Sequence, residues 1–216
     1  MKITHCKLRK KVQKELLRFF VLEVTARSAA DILGIHPNSA VLFYRKTRMV
    51  SAIIWPWLPM RLLRALLNWT KAISVDGVKA DVVAVRQGKC CFGILRRDGR
   101  VYTVVVDNAK SDTLMPVIKQ KIMPDSIVYT DSLSSYDKLD VSGFIHHRIN
   151  HSKEFADRQN HINGIENFWN QAKRVLRKYN GINRKFFPRF LKECEFRFNF
   201  GTPSQQLKTL RDWCGI

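Results

Sequence analysis

Acidic residues are scarce in this sequence. Asp and Glu number 18 against 38 Lys and Arg over 216 residues, which gives a formal net charge of +20 and a pI near 10.2. Such an excess of cations favours a polyanionic partner, because each phosphate that is neutralised releases counterions. Nucleic acid is the leading candidate, ahead of a membrane surface and of a basic soluble domain that binds no polyanion.

C-x-x-C cysteine pairs and uninterrupted apolar runs long enough to span a membrane are also missing. None of the five cysteines belongs to a C-x-x-C pair, which argues against a zinc ribbon, and their scattered placement suits a reducing cytoplasm. The most apolar segment, residues 50–67, is interrupted by two prolines and two arginines, so we expect no membrane span. No apolar stretch of the signal-peptide type follows the basic first residues, so we expect a cytoplasmic protein.

Three helices are predicted within the first 50 residues. An amphipathic helix covers residues 8–24, a short second helix covers 25–33 and ends at Gly34, and a third runs from Pro37 to about Arg48. A short helix, a glycine-containing turn and a further helix are typical of a helix-turn-helix. An ordinary three-helix packing unit has the same pattern, and the basic charge favours the DNA-binding alternative. The third helix would then offer its polar side chains to DNA: Asn38, Ser39, Arg45 and Lys46.

The remainder predicts a mixed α/β sheet with helices packed on it. Two strands joined by an Asp-Gly hairpin come first, followed by a helix, two short strands and two helices. Their predicted bounds are 92–95, 101–106, 111–121, 126–130, 144–149, 162–179 and 184–198.

Two acids stand where an active site could form. Asp131 directly follows an apolar strand, and open α/β sheets bind ligands at such strand ends. Glu166 lies on a helix seven residues before Lys173, which places both on one face. Two alternatives remain: Asp131 could be a solvated turn residue, and Asn163 with Glu166 could form a capping box.

Four neighbouring histidines do not match a known metal-binding spacing. We interpret them as polar surface or DNA-contacting residues rather than metal ligands. They are His146, His147, His151 and His161.

Several motifs together form a more specific pattern. They are Tyr129-Thr130-Asp131, Ser135-Tyr136-Asp137, Arg148-Ile149-Asn150-His151-Ser152, His161-Ile162-Asn163-Gly164-Ile165-Glu166-Asn167-Phe168-Trp169, Lys173-Arg174 and Leu191-Lys192-Glu193-Cys194-Glu195-Phe196-Arg197-Phe198-Asn199. The sequence resembles the DDE transposases of small bacterial insertion sequences over about residues 8–50 and 92–213. The resemblance implies a helix-turn-helix followed by a ribonuclease-H-like mixed sheet flanked by helices.

The resemblance also implies the chemistry and the partners. Asp131 matches the second metal-binding acid of the family, Glu166 the third, and Lys173 the basic residue that follows it. The acids would hold Mg²⁺ or Mn²⁺ for in-line attack on phosphate, and Arg174 and Arg177 join the expected DNA contacts. The expected partners are the terminal inverted repeats and the target DNA, bound by a homo-oligomer in the bacterial cytoplasm near the nucleoid.

The first acid of the family is absent from its place. The family shows Leu-Asp-Glu-Ser-Tyr-Phe-Gly-Gly before the first hairpin, whereas residues 68–75 read Asn-Trp-Thr-Lys-Ala-Ile-Ser-Val. The codons of Trp69 and Thr70, read in a shifted frame, contain an aspartate codon, and suitable third bases restore the whole motif. We therefore interpret the chain as a frameshifted copy, and Asp76 is the candidate that could fill the gap by chance.

Three segments and three possible functions follow from this interpretation. We expect a DNA-binding domain over 1–50, an aberrant segment over 51–91 and a catalytic core over 92–216. The leading function is an insertion-sequence transposase, impaired by its missing acid. The alternatives are an inactive protein that binds the same element ends and a ribonuclease-H-like nuclease that performs no strand transfer.

Overall fold

The protein is described by a computed structural model over residues 3, 6–54, 78–84, 90–96, 99–122, 126–130, 143–148, 162–179, 182–183 and 185–216. The elements within these residues are α1 (Lys10–Val21), α2 (Ala26–Ile32), α3 (Pro37–Ile54), β1 (Val78–Ala84), β2 (Cys90–Arg96), β3 (Val101–Val106), α4 (Ser111–Lys121), β4 (Ile127–Thr130), β5 (Ile145–Arg148), α5 (Ile162–Leu176), α6 (Phe187–Asn199) and α7 (Pro203–Cys214). In this part of the chain, no helix combines the length and the apolar character that crossing a bilayer requires.

The residues group into two compact units. A helical unit comprises 1–71 and 174–216, and a sheet unit comprises 72–173. The two units are defined by which residues contact one another. The predicted division into 1–50, 51–91 and 92–216 concerns origin and function, and it stays a prediction.

The helical unit is built on an apolar stripe of α1. Leu16, Leu17 and Phe20 recur at helical spacing, are at most 1% exposed, and contact buried side chains of α3, including Tyr44. The ring of Phe20 meets the ring of Tyr44 edge-on at 5.1 Å. The C-terminal helices complete the same core through Phe196, Leu210 and Cys214.

The turn between α2 and α3 is fixed by local chemistry. The Thr25 hydroxyl accepts a hydrogen bond from the Ser28 N–H and caps α2. Gly34 has a φ of +59°, and the Ile35 N–H donates to the Ala30 carbonyl at 3.0 Å, which closes the helix end. Pro37 then opens α3, where a missing N–H costs nothing.

α3 extends to Ile54, beyond the predicted end near Arg48. Its buried face continues there through Thr47, Val50 and Ser51, each at most 2% exposed. A charged cluster supports the same stretch: Glu193 of α6 accepts hydrogen bonds from Arg48 and from Arg197. Arg197 also donates to the Phe20 and Val21 carbonyls at the end of α1, so one cluster joins three helices.

The sheet unit contains five strands in the order β3-β2-β1-β4-β5. β1, β2 and β3 pair antiparallel, whereas β1 with β4 and β4 with β5 pair parallel. Phe92, Ile94 and Val106 lie in a core cluster with Leu114 and Ile118 of α4. The opposite face of β2 contacts α5, because an added Cβ at Gly93 would lie 2.7 Å from the Trp169 ring.

The predicted α/β architecture is confirmed, and two elements were not predicted. β1 lies within the segment that we interpret as frameshifted, and its residues 78–84 complete the centre of the sheet. α7 begins with a capping box in which the Thr202 side chain accepts from the Gln205 N–H and the Gln205 side chain accepts from the Thr202 N–H.

Candidate active site and nucleic-acid interface

β4 is the strand that leads into the first predicted catalytic acid. It pairs with β1 on one side and with β5 on the other, both in parallel, so it lies inside the sheet. Its last residue, Thr130, pairs with Ala80 of β1. Asp131 is the next residue in the sequence and lies outside the described residues, as do His151 and His161.

α5 has an apolar face and a polar face. Ile165, Phe168, Trp169 and Ala172 are at most 5% exposed, as their helical spacing predicts. Glu166 and Lys173 are both exposed and, seven residues apart, share one stripe of the opposite face. This arrangement leaves the carboxylate and the ammonium group accessible on the face where the sequence predicted them together.

The bounds of α5 favour a catalytic role for Glu166 over the capping-box alternative. α5 begins at Ile162, so Asn163 is its second residue and not the residue before its first turn. An N-cap residue has non-helical backbone angles and stands in front of the helix. The exposed Glu166 carboxylate is therefore available for another role.

Two glycines set how closely α5 approaches β2. A Cβ at Gly93 would lie 2.7 Å from Trp169 and 3.2 Å from Ile165, and a Cβ at Gly164 would lie 2.6 Å from Leu95. Side chains at these positions would push the helix off the strand, because buried atoms are already at contact distance. The glycines thus fix the height of the Glu166 stripe above the sheet.

The predicted metal ligands are only partly described. Among the described residues, no group of three or more His, Cys, Asp or Glu side chains could hold a metal ion. Glu166 is described, whereas Asp131 and Asp76 lie outside those residues. Carboxylate oxygens are the donors that Mg²⁺ prefers, so the donor chemistry of the predicted set fits that ion.

A buried thiol of the sheet can be excluded as a catalytic or metal-binding group. Cys91 of β2 is 2% exposed, and burial raises its pKa to about 12. The thiol therefore stays protonated at neutral pH, and a protonated thiol is neither a nucleophile nor a metal ligand.

Sequence reasoning missed one acid of the sheet. Asp81 lies in the middle of β1, pairs with Gly93 of β2 and directly follows Ala80, the partner of Thr130. No motif pointed to it, since the residues around it belong to none of the sequence motifs on which the resemblance was based. Only the strand register relates Asp81 to the end of β4.

The residues predicted to contact DNA on α3 occupy different environments. Asn38 and Arg45 are exposed, whereas Ser39 and Lys46 are half-buried. The Arg45 guanidinium lies 4.6 Å from the centre of the Phe186 ring, which leaves its N–H groups at the ring edge free to donate elsewhere. Arg174 and Arg177 are exposed near the end of α5.

Comparison with known proteins assigns the family. The family model described as the ISXO2-like transposase domain matches residues 70–199, which is more than half of the chain. The chain belongs to the ISXO2-like transposase family. The transposase is also similar to an "Uncharacterized transposase-like protein" of Haemophilus influenzae (strain ATCC 51907 / DSM 11121 / KW20 / Rd), with 58% identity over 112 residues. That alignment covers 52% of this chain and 91% of the relative.

The family match gives the site its context. A transposase family implies enzymes that cleave and transfer DNA strands, and the matched residues include β4, α5 and the whole of α6. The resemblance inferred from the sequence motifs is therefore confirmed at the level of the family. Glu166 and Lys173 lie within the matched region of the transposase, on the exposed stripe described above.

Proposed function

We propose that this protein binds the terminal inverted repeats of its insertion sequence and acts in metal-dependent cleavage and transfer of DNA strands. The observation that carries the proposal is the exposed stripe of Glu166 and Lys173 on a helix packed against the sheet whose inner strand leads into Asp131. Family membership supplies the reaction class, and the net charge of +20 suits a DNA substrate.

Two features support the folds expected for such an enzyme. The order β3-β2-β1-β4-β5, with three antiparallel strands followed by parallel ones, suits the mixed sheet that is expected of a ribonuclease-H-like core. Seven residues of α2, a four-residue turn and α3 suit a helix-turn-helix. We infer that the five-stranded sheet belongs to the catalytic core and that α2 and α3 belong to the DNA-binding domain.

In this proposal Asp131 and Glu166 are the metal ligands. Bound Mg²⁺ would act as a Lewis acid on the scissile phosphate and lower the pKa of the attacking hydroxyl. Lys173, two turns along α5 from Glu166, would hold the DNA backbone beside the metal site. Asn38, Ser39, Arg45 and Lys46 would contact the element end, together with Arg174 and Arg177 on the phosphates.

We further propose that Asp81, rather than Asp76, replaces the missing first acid. The parallel pairing of β1 with β4 ends at Ala80 and Thr130, and Asp81 and Asp131 are the next residues of the sequence after that pair. Paired residues of an antiparallel ladder share a face, and Gly93, the partner of Asp81, faces α5. The backbone register therefore assigns position 81 to the sheet face against which α5 packs.

Metal binding and cleavage test these assignments together. Mn²⁺ binding to the purified protein is measured by calorimetry, and Mg²⁺-dependent nicking is measured on a duplex that bears the element end. We expect Asp131→Asn, Glu166→Gln and Asp81→Asn to weaken Mn²⁺ binding at least tenfold, whereas Asp76→Asn has no effect. Asp212→Asn, an exposed acid of α7, is the control. Unchanged Mn²⁺ binding in Glu166→Gln would refute the site.

An inactive end-binding protein is the second candidate. It is favoured by one observation, the absence of the family's first acid from its place in residues 68–75. Under this alternative the end-bearing duplex is bound and stays intact with Mg²⁺ or Mn²⁺. Strand-transfer products would distinguish the transposase from a simple nuclease, and light scattering on paired ends would measure the expected homo-oligomer.

A further inference from the structure

α3 presents one narrow face that the helical unit does not cover. Ala40, Phe43, Tyr44 and Thr47 are at most 1% exposed and pack into the core. The positions between them point away from this core. They are Asn38, Val41, Leu42 and Arg45, all exposed.

The four exposed positions form a single stripe. Their spacing of three, four and seven residues places them on one side of an α-helix, over two turns. Asn38 and Arg45 stand at its ends, and the middle consists of Val41, 46% exposed, and Leu42, 52% exposed. The stripe is therefore apolar at its centre and hydrogen-bonding at both ends.

Exposing the apolar side chains in the middle of this stripe to water is unfavourable. Isolated exposed apolar residues are common on protein surfaces, but two adjacent ones flanked by polar anchors on the exposed stripe of a helix resemble a recognition surface. The charge around them selects the class of partner. Residues 6–54 carry 10 Lys and Arg against 3 Asp and Glu, and none of the acids lies on α3. A duplex of DNA fits this distribution, whereas a hydrophobic protein partner gains nothing from it.

We propose that Val41 and Leu42 read thymine through its C5-methyl group in the major groove. The inference rests on the proposed binding of element ends by α3 and adds the bases that it selects. The thymine methyl is the apolar feature that the major groove presents, and apolar side chains contact it. Asn38 suits hydrogen bonding to adenine at one end of the stripe, and Arg45 suits guanine or phosphate at the other. The Phe186 ring beneath Arg45 restricts that guanidinium before DNA arrives.

Replacing thymine with uracil tests the proposal, because uracil differs only by the missing methyl group. The full-length protein is titrated by fluorescence anisotropy against the terminal inverted repeat of its element, synthesised with thymidine or with deoxyuridine throughout. We expect the wild type to bind the thymidine duplex more tightly by about fourfold per contacted methyl group. A Val41→Ser/Leu42→Ser variant should bind both duplexes with the same Kd.

Leu22→Ser is the matched control, since Leu22 is an equally exposed leucine, at 54%, outside the stripe. It should keep both the affinity and the preference for thymidine. Equal binding of the two duplexes by the wild type would overturn the thymine inference and leave end binding intact. Failure to bind either duplex would instead overturn the proposed function, and circular dichroism of each variant reports whether it is folded.

Discussion

At the scale of single residues, Glu193 is a buried charged group that holds two arginines of the helical unit. Its side chain is 1% exposed and accepts from Arg48 Nε and from Arg197 Nη2. Burial alone would raise the pKa of this carboxyl, but the Arg197 and Arg48 guanidinium groups outweigh burial and lower it. The carboxylate is therefore ionised in the folded protein, and both arginines depend on it for their charge balance.

Replacing Glu193 should be costly. Glu193→Gln leaves two guanidinium groups without a counter-charge in the core, and we expect a loss of about 3–5 kcal/mol in the free energy of unfolding. Urea denaturation followed by circular dichroism measures it. Glu15→Gln is the control, because the Glu15–Arg18 pair is 4.0 Å long and largely exposed, so removal should cost less than about 1 kcal/mol. Equal losses in both variants would show that the buried cluster adds no stability.

The same carboxyl fixes a pH dependence. Folding lowers its pKa, so its stabilising contribution is complete above the unfolded value of about 4.3 and is lost as the pH falls through the folded value. The difference in unfolding free energy between wild type and Glu193→Gln should thus be constant from about pH 5 upward and shrink in stronger acid. A difference that grows on acidification would contradict the lowered pKa.

At the scale of elements, the contact between α5 and β2 depends on Gly93. Gly93→Ala places a methyl group 2.7 Å from the Trp169 ring inside a packed interface, and we expect a loss of about 1–3 kcal/mol in the free energy of unfolding.

The Trp169 atom nearest to this methyl group is Cζ2, in the six-membered part of the indole ring. Trp169→Phe removes it together with the buried indole N–H, which has no hydrogen-bond partner. The loss of stability in the double variant should therefore be smaller than the sum of the losses in the two single variants. A double-mutant cycle in urea measures this difference. Additive losses would mean that the ring and the glycine do not limit each other.

Periodicity explains which elements were predictable. β3 and α4 have the predicted bounds, because alternation over 101–106 and an amphipathic pattern over 111–121 are purely local signals. α3 ran past its predicted end, since Arg48 looks polar in the sequence but is buried against Glu193, a partner that is distant along the chain. Burial of a charged side chain depends on tertiary contacts that a local pattern does not contain.

The candidate site likewise contains features that a local sequence pattern predicts and features that depend on tertiary contacts. The exposed Glu166 and Lys173 stripe followed from helical spacing alone. Asp81 could not be predicted, because its relation to β4 comes from strand pairing between residues about 50 positions apart. The close approach of α5 to β2 was equally hidden, since Gly93 and Gly164 carry no pattern of their own and matter only through Trp169 and Leu95.

At the scale of the whole molecule, the net charge of +20 should dominate DNA affinity. If six or more phosphates are contacted, the association constant should fall about a thousandfold between roughly 50 and 200 mM salt. Arg174→Gln and Arg177→Gln should each lower the logarithmic salt slope by about one, whereas Lys208→Gln on α7 should not. Anisotropy titrations over a salt series provide the slopes. A slope that does not change in the arginine variants would remove them from the phosphate contacts.

The segment 51–91 decides whether the molecule is an active or a degraded enzyme. Reading this region of the gene in the shifted frame should restore Leu-Asp-Glu-Ser-Tyr-Phe-Gly-Gly, and with it an acid that the family places on the first strand of its core. We expect the protein with the restored segment to cleave end-bearing DNA in Mg²⁺ at least a hundredfold faster than the present chain, because the family's own first carboxylate should position the metals better than its proposed substitute Asp81. The restored protein carrying aspartate-to-asparagine in that motif is the control and should return to the original rate. If the restored protein is no faster, or if the codons yield no such motif, the frameshift interpretation is wrong and β1 with Asp81 is the native first strand.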